Sequence, residues 1–176
     1  MEVFTKEKSL KKLTREDMIK RKYSAAIIPI IYGQMVPKIL KKHGGDEQKT
    51  KDILKTFGKR LGSQIILYWV PKKKDIPSIL KETYRFILKK KLKKLEIIEK
   101  EKKWIMVDDS CIMCWEGIEE FGNIHYCTPM SGVIEALLNA LREKSEYSHL
   151  PKVSVNTIES KAHGDKMCKH EIKVVE

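Results

Sequence analysis

The stretch WIMVDDSCIMCWEGIEEFGNIHYCTPMSG, residues 104–132, is where this chain changes character. It holds three of the four cysteines and two of the three tryptophans. Its first residues, Trp104 to Val107, pair by pattern with Leu95-Glu-Ile-Ile98 across the polar turn Glu99–Lys102, which predicts a β-hairpin. Its last residues lead into Ser131–Lys144, where Val133, Ile134, Leu137, Leu138 and Leu141 recur at helical spacing. Beyond that helix, Val153–Ala162 and Met167–Val175 alternate around His163-Gly164-Asp165, a second predicted hairpin. The stretch therefore joins a helical half to a half dominated by strands.

Working back from it, the first hundred residues read as helices. Tyr23–Lys42 carries apolar residues at Ile27, Ile28, Ile31, Met35, Ile39 and Leu40, with Pro29 and Pro37 marking kinks or separate starts. Asp46 opens a second helix running to about Trp69, with Ile53, Leu54, Phe57, Leu61 and Ile65 as its apolar stripe. Gly58 and Gly62 lie one turn apart within it. Each costs up to about 1 kcal/mol in a helix interior, which a close approach of another backbone or a ligand would offset. Asp75 caps a third helix, with Pro77 tolerated in its first turn. Three helices, a hairpin, a helix and a hairpin predict an α+β domain: long N-terminal helices packed on a four-stranded antiparallel sheet, with one further helix between the hairpins. Residues 1–22 read as a basic extension and 23–176 as a single domain.

Charge divides the chain the same way. Residues 1–100 carry 27 Lys+Arg against 11 Asp+Glu, and residues 101–176 carry 9 against 13. A basic helical half could meet nucleic acid or an anionic membrane surface. It equally fits a solvated, heat-adapted surface, since no basic strand is interleaved with aromatics to stack bases. No apolar run approaches the roughly 20 residues of a membrane span, and Ala25–Tyr32, the longest, is broken by Pro29. The first residues lack a signal-peptide pattern, so the expected location is cytoplasmic, where cysteines stay reduced.

Cys111-Ile-Met-Cys114 admits three readings: a redox pair, a metal knuckle, or small buried apolar residues. Redox chemistry is disfavoured because Asp108, Asp109 and Glu116 flank the pair and would raise a thiol pKa. Cys111, Cys114, Cys127 and Cys168 supply the four soft ligands of a structural zinc site, with Cys168 brought in only by the fold. His125, His163 and His170 are substitute ligands.

The order of these motifs resembles the four-vinyl-reductase domain. The pattern runs Asp109, Cys111, Cys114, Gly117, then Cys127 and Gly132 opening a helix, then Gly164, Asp165 and Cys168 in the closing hairpin. The segment LKTFGKRLG, residues 54–62, resembles the family's glycine-bearing second helix, and the likeness spans residues 25–175. The family is a predicted hydrocarbon-binding module found in archaeal stand-alone proteins and in phenol-sensing regulators. The resemblance implies a fold shared with transport protein particle subunits, commonly dimeric, around an apolar pocket. In the phenol sensors it also implies zinc. Cys127 and Cys168 match two of those ligands, but the other two positions hold Thr157 and Ser160. Cys111 and Cys114 would have to complete the set.

The functional expectation is a module, possessing a zinc clasp, that binds a small hydrophobic molecule. Tyr32, Phe57, Leu61, Trp69, Tyr84, Trp104, Met106 and Trp115 are the candidate lining residues, although aromatic stripes at helical spacing also simply fill cores. A homodimer is expected. The alternatives are a basic scaffold or nucleic-acid-associated protein, and an accessory reductase. Turnover has the least support, because the chain has no Gly-x-Gly-x-x-Gly or phosphate loop and so no nucleotide cofactor is expected.

Overall fold

The computed structural model describes residues 36–43, 46–111, 114 and 124–175. The basic extension, most of the first predicted helix, Tyr32 and Trp115 lie outside these residues. Four helices and four strands follow in the expected order. They are α1 (Val36–His43), α2 (Glu47–Ile65), α3 (Ile76–Leu88), β1 (Lys94–Ile98), β2 (Lys103–Asp108), α4 (Thr128–Arg142), β3 (Val153–Glu159) and β4 (Cys168–Val174).

Local chemistry sets most of the boundaries. Asp46 accepts the Lys49 amide at 2.9 Å and Asp75 accepts the Ser78 amide at 2.9 Å, so both helices start on the predicted N-caps. Helix α2 stops at Ile65, four residues short of Trp69, because the chain turns there and leaves Leu67 67% exposed. Helix α4 starts at Thr128, three residues before the predicted Ser131. Pro129 sits in its first turn, where an amide hydrogen would be unpaired anyway. Strand β3 ends at Glu159 and a single turn of 3₁₀-helix, Lys161–His163, leads into Gly164 at φ 93°. The second hairpin is thus shorter and more loosely closed than alternation predicts.

The sheet is antiparallel throughout, in the order β1-β2-β4-β3. Its register puts three rows of side chains on the helix-facing side. Trp104 stands opposite Ile172 and Ile172 opposite Val155; Met106 opposite His170 and His170 opposite Thr157; Asp108 opposite Cys168. Directly opposed residues share a face, so Cys168, His170 and Ile172 all point to the buried layer, at 0, 3 and 0% exposure.

That layer is filled by α4, whose Val133, Ile134, Leu137, Leu138 and Leu141 are all buried. Helix α2 lies along α4, and its buried line runs Thr50, Leu54, Gly58, Gly62, Ile65. Of the predicted stripe, Leu54 and Ile65 lie in this line, while Phe57 and Leu61 flank it as partly buried residues. The glycines explain the difference. A Cβ on Gly58 would enter the carbonyl group of Pro129, and one on Gly62 would lie 2.5 Å from the Val133 carbonyl oxygen. Glu135 locks this layer to the sheet. It is 7% exposed, takes Lys55 at 2.9 Å and Lys59 at 2.6 Å, and accepts the Val155 amide of β3 at 2.8 Å. Burial alone would raise its carboxyl, but Lys59 and Lys55 outweigh that and hold it below the ordinary value.

Candidate metal centre

All four cysteines converge at one end of the sheet. Cys168 opens β4 opposite Asp108, the last residue of β2, so it stands at the sheet's end. Cys111 and Cys114 follow β2 directly, in a turn closed by the Cys114 amide on the Cys111 carbonyl at 3.3 Å. Cys127 is the N-cap residue of α4. Each of the four is buried and unbridged.

The sulfur atoms of Cys111, Cys114 and Cys168 lie within 4.8 Å of one another, with Cys114 and Cys168 at 3.4 Å. The Cys127 thiol is fully buried beside them and interacts with all three. Tetrahedral zinc with Zn–S bonds of about 2.3 Å places its sulfurs about 3.8 Å apart. Cys111, Cys114 and Cys168 therefore fit that ion in softness and spacing, and Cys127, outside that close group but buried in contact with all three, is the candidate fourth ligand. Contacts with Cys111, Cys114 and Cys168, and then burial, push the Cys127 thiol well up, and Cys111 and Cys114 do the same to Cys168. Several thiolates cannot share so small a volume without a cation. With a divalent cation that logic inverts and the thiols deprotonate. The positive end of the α4 dipole acts in the same direction on Cys127.

Two buried polar groups fix the ground around the thiols. The Asp108 carboxylate accepts the Tyr84 hydroxyl, the Ser110 amide at 2.9 Å and the Lys90 ammonium at 3.0 Å. Burial, then this bond to Asp108, raises the Tyr84 hydroxyl well above its ordinary value. His170 lies between hydroxyls, its Nδ1 3.1 Å from Thr157 Oγ1 and 3.3 Å from Ser131 Oγ. Thr157 and Ser160 occupy positions where the resembling family carries ligands, but here each holds a histidine. Thr157 holds His170, and Ser160 Oγ lies 3.2 Å from His125 Nδ1.

Burial pushes the His170 imidazole down to about 4. Its ordinary value is about 6.5, so the folded chain favours the neutral ring. The resulting stability is present above about pH 6.5 and is lost as pH falls towards 4, by about 3 kcal/mol in total. Urea unfolding of the wild type and of His170→Gln, both with chelator present, checks this. The wild type should lose the extra stability across that window and the variant should not.

The six candidate ligand-lining residues that are described do not line one common cavity. Tyr32 and Trp115 lie outside the described residues. Phe57 lines a groove of about 720 Å³ between α1 and α2, together with Ile39, Ile53 and Thr56. Trp69 stacks on Phe86 at 4.3 Å and lines a separate cleft of about 450 Å³. Tyr84 and Met106 are buried, at 2 and 1% exposure, while Leu61 and Trp104 pack against the core from its edge. Glu135 and Ser131 are the buried polar residues that pattern reading missed. Glu135 had one signal: a carboxylate inside an apolar helical run, with Lys55 and Lys59 spaced four apart on the helix that meets it.

No protein-family model matches the chain, and no curated protein matches it. Among solved structures it is similar to subunit 3 of a trafficking protein particle complex from Naegleria fowleri, covalently bound to palmitic acid. That likeness has a TM-score of 0.63 at 16% identity and covers 85% of this chain and 94% of that one. It is also similar to a vinyl-4-reductase family protein from Methanocaldococcus jannaschii, with a TM-score of 0.50 at 21% identity over 92% and 89% of the two chains. At these identities the likeness shows the fold: helices on a four-stranded antiparallel sheet, in the arrangement those two proteins share with this one.

Proposed function

We propose that this protein is a binding module that takes a small hydrophobic molecule, and that its four cysteines hold a structural zinc ion. The observation carrying the binding reading is the groove between α1 and α2. Its volume of about 720 Å³ lies in the range of small-molecule sites, and its apolar side chains, Ile39, Ile53 and Phe57, are rimmed by polar ones such as Asp46, Gln48 and Arg60. The strongest buried polar groups, by contrast, are turned on one another. Asp108 is taken by Tyr84 and Lys90, and Glu135 by Lys55, Lys59 and a strand amide. Such groups brace a frame. The palmitic acid on the trafficking-particle subunit of like fold supports an alkyl or similarly apolar ligand.

Part of the lysine charge is compensated by carboxylates of the chain itself, which favours the module reading. Lys51, Lys55, Lys59, Lys90, Lys93, Lys94, Lys103, Lys169 and Lys173 each have a carboxylate partner. A second copy of the chain is the protein partner expected. Among the described residues no helix is long and apolar enough to cross a membrane.

Titration with long-chain fatty acids and alkyl phenols, read by ligand-observed NMR, tests the groove. Saturable binding is expected, and Phe57→Ala should weaken it about tenfold or more, in line with losing a large apolar contact. Absence of saturable binding across both ligand classes would count against the groove.

A further inference from the structure

A second cluster of ligating groups lies at the turn of the closing hairpin, outside the thiol centre. His125, His163 and Asp165 each offer one donor atom, and these atoms lie within 4.8 Å of one another. His125 comes from the segment leading into α4. His163 and Asp165 flank Gly164, whose φ of 93° gives the turn that brings its two neighbours together. We propose that these three residues form a second, solvent-open site for a borderline divalent cation of the zinc, cobalt or nickel kind.

The geometry favours a shared ion over a simple pair. His163 Nδ1 stands 3.8 Å from Asp165 Oδ2, too far for a hydrogen bond. Two ligands of one tetrahedral ion with bonds of about 2.0–2.1 Å lie about 3.4 Å apart, so a small closing movement suffices. The two imidazoles meet edge to face, centroids 5.3 Å apart, although two rings that can each take a proton repel when both do so. Neutral imidazoles and a carboxylate are the mixed donor set that suits these ions, where four thiolates suit the closed zinc site.

Ser160 positions two of the three ligands. It is wholly buried, its amide donates to Asp165 Oδ2 at 2.8 Å, and its hydroxyl meets His125 Nδ1 at 3.2 Å, leaving Nε2 as that ring's other ligand atom. Outer contacts of this kind orient ligands before the ion arrives. His125 also lines a cleft of about 300 Å³ with Lys51, Lys55, Thr128, Ser131 and Thr157. An ion on its ring would sit at the rim of that cleft, with its remaining positions open to water.

Cobalt(II) titration of the full chain, already loaded with one equivalent of zinc, tests the site. A saturable second equivalent is expected, showing ligand-field bands without thiolate charge transfer. His163→Ala and Asp165→Asn should each weaken it at least tenfold, and Ser160→Ala about tenfold. None should alter the first equivalent. If the thiol centre takes no zinc, cobalt bands free of charge transfer still report this site alone. The proposal is overturned if no second equivalent saturates below ~1 mM cobalt, or if His163→Ala and Asp165→Asn leave its affinity unchanged.

Discussion

With zinc bound as proposed, its removal is expected to lower stability by about 4 kcal/mol, and Cys127→Ser is expected to do the same without any chelator. The magnitude follows from a ligand at about a thousand times its dissociation constant that binds the folded chain alone. In a chain of 176 residues it corresponds to a fall of roughly 8–16 °C in Tm. The physical reason is where the thiols come from. Cys111 and Cys114 follow β2, Cys127 is the N-cap residue of α4 and Cys168 opens β4, so one ion held by them would tie three elements that are distant in sequence. The decisive readout is non-additivity. Chelator should destabilise the wild type strongly and Cys127→Ser hardly further, because both remove one interaction. Four reduced cysteines that merely fill space predict the reverse, with no chelator effect and a Cys127→Ser cost of about 1 kcal/mol from burying a hydroxyl. Thermal unfolding with and without chelator distinguishes the two.

Gly58→Ala carries the second large effect. On an isolated helix the change would add about 1 kcal/mol of stability. Here the new Cβ would enter the Pro129 carbonyl of α4, which is backbone and cannot rotate aside. Gly132 makes the reciprocal contact, since a Cβ there would meet the Lys55 carbonyl and the Lys59 amide on α2. The two helices must separate, and α4 also carries Cys127 and the Glu135 lock on β3. A net loss of about 3 kcal/mol or more is expected, seen as a lower urea midpoint with little change in slope. Gly164→Ala makes a useful contrast. A Cβ there meets nothing, so its cost should be confined to the left-handed backbone, about 1 kcal/mol.

These two sites differ in how far the sequence announced them. Gly58 and Gly62 stand one turn apart inside a helical pattern, a placement that a close approach of another backbone or a ligand would offset, so a contact was legible there and its partner was not. The four cysteines were legible as a set by count and type. Their meeting point needed the register that sets Cys168 opposite Asp108, and a register depends on strand pairings that no local pattern contains. Asp46 and Asp75 announced two helix starts through cap chemistry. Helix α4 hid its start because Pro129 reads as a breaker, although the first turn of a helix accepts it. Helix α2 hid its end because Leu67, Tyr68 and Trp69 continue the apolar texture after the helix stops. Ser160 and Thr157 looked like missing metal ligands. The structure gives them other work, holding His125 and His170, which only side-chain placement could reveal.

Native mass spectrometry of the chain, purified without added metal, tests whether a zinc-clasped frame binds an apolar molecule. One zinc per chain that survives exchange into chelating buffer is expected, together with a small apolar molecule released on activation. A bare-chain mass with all four thiols open to alkylation under native conditions would contradict that reading.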